Sequence, residues 1–148
     1  DAGARTPRAE ALLVTTAVDS SVLIDVLQDE PGWASRSADA LDAALSAGRL
    51  VACDIVWAEV SGRFEASTDA TRAFEALGIE FVPMGETAAL EAGRLWRKFR
   101  EAGGVRRERV VADFLVGAHA AHHADALLTR DRGFYRRYFS KLRILEPT

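Results

Sequence analysis

A single cysteine, Cys53, stands in this chain of 148 residues. No internal disulfide can form. Cys53 lies in an apolar stretch and reads as a small buried side chain, suited to a reducing, cytoplasmic setting. Long hydrophobic runs are missing too: none approaches the roughly 20 residues that a membrane-spanning helix needs, so no membrane partner is expected. Lysine is scarce, with Lys98 and Lys141 alone in the sequence. Neither fits the late-strand lysine of a receiver domain, and that class is excluded. No repeat, linker or low-complexity tract is visible. At 49% hydrophobic residues, this length suits one domain around one core. Residues 1–14 lack an initiator Met and a signal-peptide pattern. Rich in Ala, Arg, Gly and Pro, they read as a mobile extension ahead of a domain covering 15–148.

The formal charge of −3 and pI of about 5.6 do not announce a nucleic-acid binder. The distribution says more. Between Arg94 and Arg143 lie 13 of the 19 basic residues, against five acids, Glu101, Glu108, Asp113, Asp125 and Asp131. A basic C-terminal third can attract a phosphate backbone, although a solvated helix surface has the same composition.

Short apolar segments alternate with amphipathic ones along the chain. Strands are expected at Thr15–Val18, Arg49–Cys53, Ile79–Pro83, Ala126–Thr129 and Leu142–Leu145. Helices are expected over Ser20–Leu27 (capped by Ser20 or Ser21), Trp33–Ala47, from an Asp54 cap through Val60, Ser67–Leu77, Glu86–Ala102, Arg109–His123 and Arg132–Tyr138. The alternation predicts an α/β fold whose parallel sheet is covered on both faces. Sites in such sheets lie at the carboxyl ends of the strands, near the switch in strand order.

Four acids sit where that edge should be. Asp19 ends the first strand, Asp131 follows Leu127-Leu128-Thr129-Arg130, and Glu59 and Asp113 fall near the starts of helices. One acid after a strand is most often a helix cap; the joint occurrence is what points to chemistry. Clustered carboxylates repel one another and retain protons unless a cation relieves them. Their hard oxygens suit Mg2+ or Mn2+. Such an ion can bind a phosphodiester oxygen, lower the pKa of a bound water and stabilise the leaving oxyanion, so no protein nucleophile is needed. A haloacid-dehalogenase-type phosphatase would need a second Asp two residues after Asp19, where Ser21 stands.

The segments Asp19-Ser20-Ser21-Val22-Leu23-Ile24-Asp25, Trp57-Ala58-Glu59-Val60, Ala112-Asp113-Phe114-Leu115-Val116-Gly117-Ala118-His119-Ala120 and Leu127-Leu128-Thr129-Arg130-Asp131-Arg132-Gly133-Phe134-Tyr135 resemble the PIN domain. More narrowly, they resemble VapC toxins of bacterial VapBC toxin–antitoxin pairs. The resemblance covers nearly all of Thr15–Leu145. It implies a three-layer α/β/α sandwich and an Mg2+-dependent endoribonuclease, with Mn2+ as substitute. It also implies a homodimer, silenced by a VapB-type antitoxin whose tail crosses the active site. Asp19 and Asp113 become the firmest metal ligands. Glu59 and Asp131 ligate directly or through water, and Ser20 and Thr129 are hydroxyls that orient the carboxylates. Transfer RNA, ribosomal RNA and messenger RNA are all open as substrates. A structure-specific or DNA-directed nuclease is the second reading, and a non-catalytic regulatory module the third, against which the intact acid set argues.

Other residues invite a role. Arg130 and Arg132 flank Asp131 and are expected to grip substrate phosphates. Asp25, six residues past Asp19, points elsewhere and is assigned a structural or interface role. His119, His122 and His123 mimic a helical zinc pair. No matching Cys or acid completes a ligand set, so they are read as favourable charges at a helix C-terminus. Trp33, Trp57 and Trp96 are assigned to packing rather than to base stacking. Gly117, with Ala121 and Ala124, suggests close helix packing.

Overall fold

The computed structural model describes residues 13–105 and 109–148. The expected extension lies outside the described residues up to position 12, as do Arg106, Arg107 and Glu108 of the basic stretch. The elements run β1 (Val14–Val18), α1 (Ser20–Leu27), α2 (Ala34–Ala47), β2 (Gly48–Ala52), α3 (Asp54–Ser61), α4 (Ser67–Ala76), β3 (Ile79–Phe81), α5 (Glu86–Glu101), α6 (Val111–His123), β4 (Ala126–Leu128), α7 (Arg132–Tyr138) and β5 (Arg143–Leu145). Val14, assigned ahead of the domain by sequence, opens β1 and pairs with Gly48.

All strand pairs are parallel, in the order β3-β2-β1-β4-β5. The strands read as apolar runs because they are buried: Ala17, Val18, Leu50, Val51, Ala52, Ala126, Leu127 and Leu128 lie in the core. Helices cover both faces, giving the three-layer α/β/α sandwich. From β1 the chain steps outward to β2 and β3, then returns to add β4 and β5 on the other side. The order therefore reverses between β1 and β4, and a crevice opens there at the strands' carboxyl ends. Thr15 and Asp125 clamp the opposite end, the Asp125 carboxylate accepting from the Thr15 amide at 2.9 Å.

The first and third helices start differently from expectation. The last extended residue before α1 is Asp19 itself, whose Oδ1 accepts from the Ser20 amide at 2.8 Å. Before α3 that position belongs to Cys53, because β2 stops at Ala52. Asp54 then falls inside the helix, and its carboxylate accepts from the Met84 amide at 2.8 Å. His122 and His123 stand in the last turn of α6, as expected, while His119 lies deeper in the helix. Nε2 of His119 and of His123 each hydrogen-bonds the carbonyl of Val82 or Met84 at 2.8 Å, fastening α6 to the segment after β3. Burial lowers the pKa of His119 and keeps it neutral for that contact.

Trp57 stacks on Phe74 at 3.6 Å between centroids, and Trp96 joins Phe99 and Phe114, as packing requires. Trp33 differs: its ring lies between the guanidinium groups of Arg36 and Arg130, at 4.1 and 3.9 Å. Gly117 lies buried in α6 against the Phe139 ring, where any Cβ would collide. We predict that Gly117→Ala lowers stability by about 1–3 kcal/mol through overpacking, measured by thermal or urea denaturation. An unchanged midpoint would contradict this contact.

Candidate functional site

The crevice between β1 and β4 is built by backbone first. The Asp19 amide donates to the Leu128 carbonyl at 2.9 Å, and the Thr129 amide to the Leu145 carbonyl at 3.0 Å. These bonds continue the ladder beyond the strands and fix the residues that follow. Thr129, fully buried, then uses its hydroxyl twice. It donates to Asp19 Oδ2 at 2.8 Å and accepts from the Asp131 amide at 3.0 Å. One side chain thus couples the two acids that leave adjacent strands. Asp113 stands in the first turn of α6, its Oδ2 accepting from the Val110 amide at 3.0 Å. Glu59 lies in the second turn of α3 rather than its first, at the exposed rim.

The four acids share one electrostatic neighbourhood. Burial raises the pKa of Asp19 above its ordinary 3.8; hydrogen bonds from Thr129 and the Ser20 amide oppose that, and the charges of Asp113 and Asp131 reinforce it. Glu59 is raised by partial burial and then by Asp19 and Asp113, with the Ser20 hydroxyl and Arg63 acting against. Tyr135 is driven well above its ordinary value by burial and next by Asp19, Asp113 and Asp131, with Arg109 opposing. Sequence reasoning missed Tyr135, although it lies one helical turn beyond Asp131.

Among the described residues, no three carboxylate, imidazole or thiolate groups stand ready at ligating distance. Two of the acids are engaged within the chain: Asp113 Oδ2 accepts from its own helix start, and Asp131 Oδ2 is held by Arg109 at 2.7 Å. The donor set still fits a hard divalent ion, being all carboxylate oxygen with mutual repulsion that a cation would relieve. A cavity of about 370 Å³ between α2 and β5, lined in part by Ala40, Ala44, Leu128 and Leu145, contains none of these acids.

Of the two arginines expected to grip phosphate, both are already engaged. Arg130 donates to Asp25 at 2.7 Å while lying on Trp33, and Asp25, 2% exposed, also accepts from the Ser37 hydroxyl at 2.7 Å. Arg132 donates to Glu146 at 2.6 Å. The structural role assigned to Asp25 is met within the chain, by this buried pair. The arginine beside the acids is Arg109, which sequence reasoning did not single out. It sits on the face of Phe134 at 4.3 Å and pairs with Asp131.

A family model for the PIN domain matches residues 16–140. The chain belongs to the PIN domain family. Solved structures agree on the fold of this PIN domain. A chain of VapBC2 from Rickettsia felis, bound to promoter DNA, superposes with a TM-score of 0.67 at 13% identity, over 89% of this chain and 98% of that one. VapBC-1 from nontypeable Haemophilus influenzae gives 0.67 at 18% identity, over 89% and 97%. DNA-bound VapBC from Salmonella typhimurium gives 0.65 at 15% identity, over 92% and 100%. No curated protein sequence matches.

The raised carboxyls make metal-free stability depend on pH. Above 3.8 and up to its folded value, Asp19 binds more protons in the native chain than in the unfolded one, so its contribution falls as pH rises through that window. In EDTA we expect Asp19→Asn to be at least as stable as the wild type at neutral pH, with the gap closing as pH is lowered toward 3.8. Urea melts across that range provide the test; a gap that widens on acidification would remove the buried-carboxylate account.

Proposed function

We propose that this PIN domain is a divalent-metal-dependent endoribonuclease, the toxin of a type II toxin–antitoxin pair, that hydrolyses RNA phosphodiester bonds. The observation that carries the reading is the convergence of Asp19, Glu59, Asp113 and Asp131 at the β1–β4 switch, where each of the two acids with a raised pKa feels other members of the set. Asp19 and Asp113 would hold the ion, Mg2+ with Mn2+ as substitute, and Glu59 and Asp131 would ligate it directly or through water. When bound, the ion supplies a polarised phosphodiester oxygen and an acidified water. The chain's own part is to aim the carboxylates. Thr129 fixes Asp19 from one side and the Ser20 amide fixes it from the other. The Ser20 hydroxyl steadies Glu59.

The structural neighbours are VapBC complexes, and another is a toxin–antitoxin complex from Klebsiella pneumoniae. They support a VapB-type antitoxin as the partner here. A homodimer as the working unit and a cytoplasmic setting belong to the same reading. No helix among the described residues is long and apolar enough to cross a membrane.

The test is cleavage of matched RNA and DNA by purified protein. We expect RNA to be cut in Mg2+, EDTA to stop the reaction, and Mn2+ to restore it. Asp19→Asn and Asp113→Asn should each abolish cleavage while circular dichroism remains native. Thr129→Val should lose about 10–100-fold in activity or metal affinity, the usual effect of removing a group that orients a ligand. Wild-type rates in either Asn variant would refute the site; preferential DNA cleavage would move the assignment to a DNA-directed nuclease.

A further inference from the structure

A second cleft adjoins the acids, and Arg109 belongs to both. Its guanidinium reaches Asp131 at 2.7 Å and covers Phe134 at 4.3 Å. Beside Phe134 a cleft of about 290 Å³ is lined by Phe99, Arg109, Gly133, Phe134, Arg137 and Tyr138. A smaller hollow of about 140 Å³ shares Phe99, Arg137 and Tyr138 with it and is lined also by Ala102, Gly103 and Gly104. No acidic side chain lines either hollow among the described residues. Arg137 lies over the Tyr138 ring at 5.5 Å, and no ion pair engages it among the described residues.

We propose that this cleft is the subsite for the nucleic-acid strand next to the scissile bond, with Arg137 contacting the neighbouring backbone phosphate. The placement rests on the nuclease reading above; the chemistry rests on the cleft. A guanidinium presents a planar fork that matches phosphate oxygens, and an aromatic face beneath it limits its freedom before binding. Basic side chains interleaved with aromatic rings are the usual surface for a single strand. A strand crossing the acids meets Arg109 first and Arg137 next. Arg130 is unsuited to holding phosphate, because it is tied to the buried Asp25, and Arg132 is paired with Glu146.

The experiment measures binding of a short, labelled single-stranded RNA of mixed sequence to the full chain in EDTA, across a salt series. One phosphate contact on a single strand contributes about 0.7 to the slope of log affinity against log salt. We expect Arg137→Ala to lower the slope by about that amount and Arg137→Lys to retain it. Arg72→Ala, on α4 beside the opposite sheet edge, should leave it unchanged. An unaltered slope in Arg137→Ala, an equal loss in Arg72→Ala, or no measurable binding by the wild type would overturn the subsite. Cleavage of the same RNA in Mg2+ separates the two claims. Cutting with an Arg137-independent slope sinks the cleft alone; an Arg137-dependent slope without cutting sinks the nuclease reading alone.

Discussion

Hydrogen bonding between β1 and β4 continues past the strands, from the Asp19 amide to the Leu128 carbonyl, and this continuation decides where the Asp19 carboxylate is held. A residue at the end of a buried parallel strand has little freedom, because its backbone is fixed by its neighbour and its side chain faces the crevice at the switch in strand order. Asp19 is held in that way, and the Thr129 hydroxyl then carries the constraint across to the start of the Asp131 segment. The helices are subordinate to it. α3 and α6 bring Glu59 and Asp113 to the same edge, where each adds to a repulsion that the sheet does not allow Asp19 to escape.

That repulsion explains the surrounding cations. A buried carboxylate without a partner is costly. Asp25 meets the requirement internally, with Arg130 and Ser37, and so anchors α1 and α2 to the loop after β4. Arg130 is thereby a structural cation even though it stands beside Asp131 in sequence. Arg109 is different. It neutralises Asp131 from a half-exposed position on Phe134, and a contact of that kind is weakened by solvent and exchangeable. The acid cluster therefore has one partner fixed by burial next door and another that can be displaced.

Much of this was legible in the sequence, for identifiable reasons. Ala126–Leu128 and the end of β1 are short apolar runs because both faces of their sheet are covered, so their strand character survives without alternation. The acids drew notice through their joint occurrence, since any one of them alone reads as a helix cap, as Asp19 in fact is. The caps were less so. Whether Asp19 or Ser20, Cys53 or Asp54, closes a helix turns on a single residue of strand length, which local composition does not determine. Ion-pair choice was not legible at all: Arg130 answers to Asp25, 105 positions away. Arg109 and Tyr135 became visible once α6 was packed against β1 and β4, and α7 against β5. His119 and His123 looked like chemistry because their spacing matched a ligand pair. Their partners are the carbonyls of Val82 and Met84, which no side-chain motif announces.

Net charge is the property that misleads most. A chain at −3 should repel a polyanion on average, yet association depends on the local field at the surface encountered. Four of the 22 acids lie at the carboxyl end of the sheet, where their charge repels phosphate until it is compensated. Along α7 the balance reverses, with Arg136 and Arg137 in its last turn and Arg132 at its start. The boundary between these regions passes through Arg109. A polyanion approaching the acid edge would thus be drawn first to the arginine side and held against the repulsive part, which is the order of events a site made of carboxylates needs if its substrate is also negative.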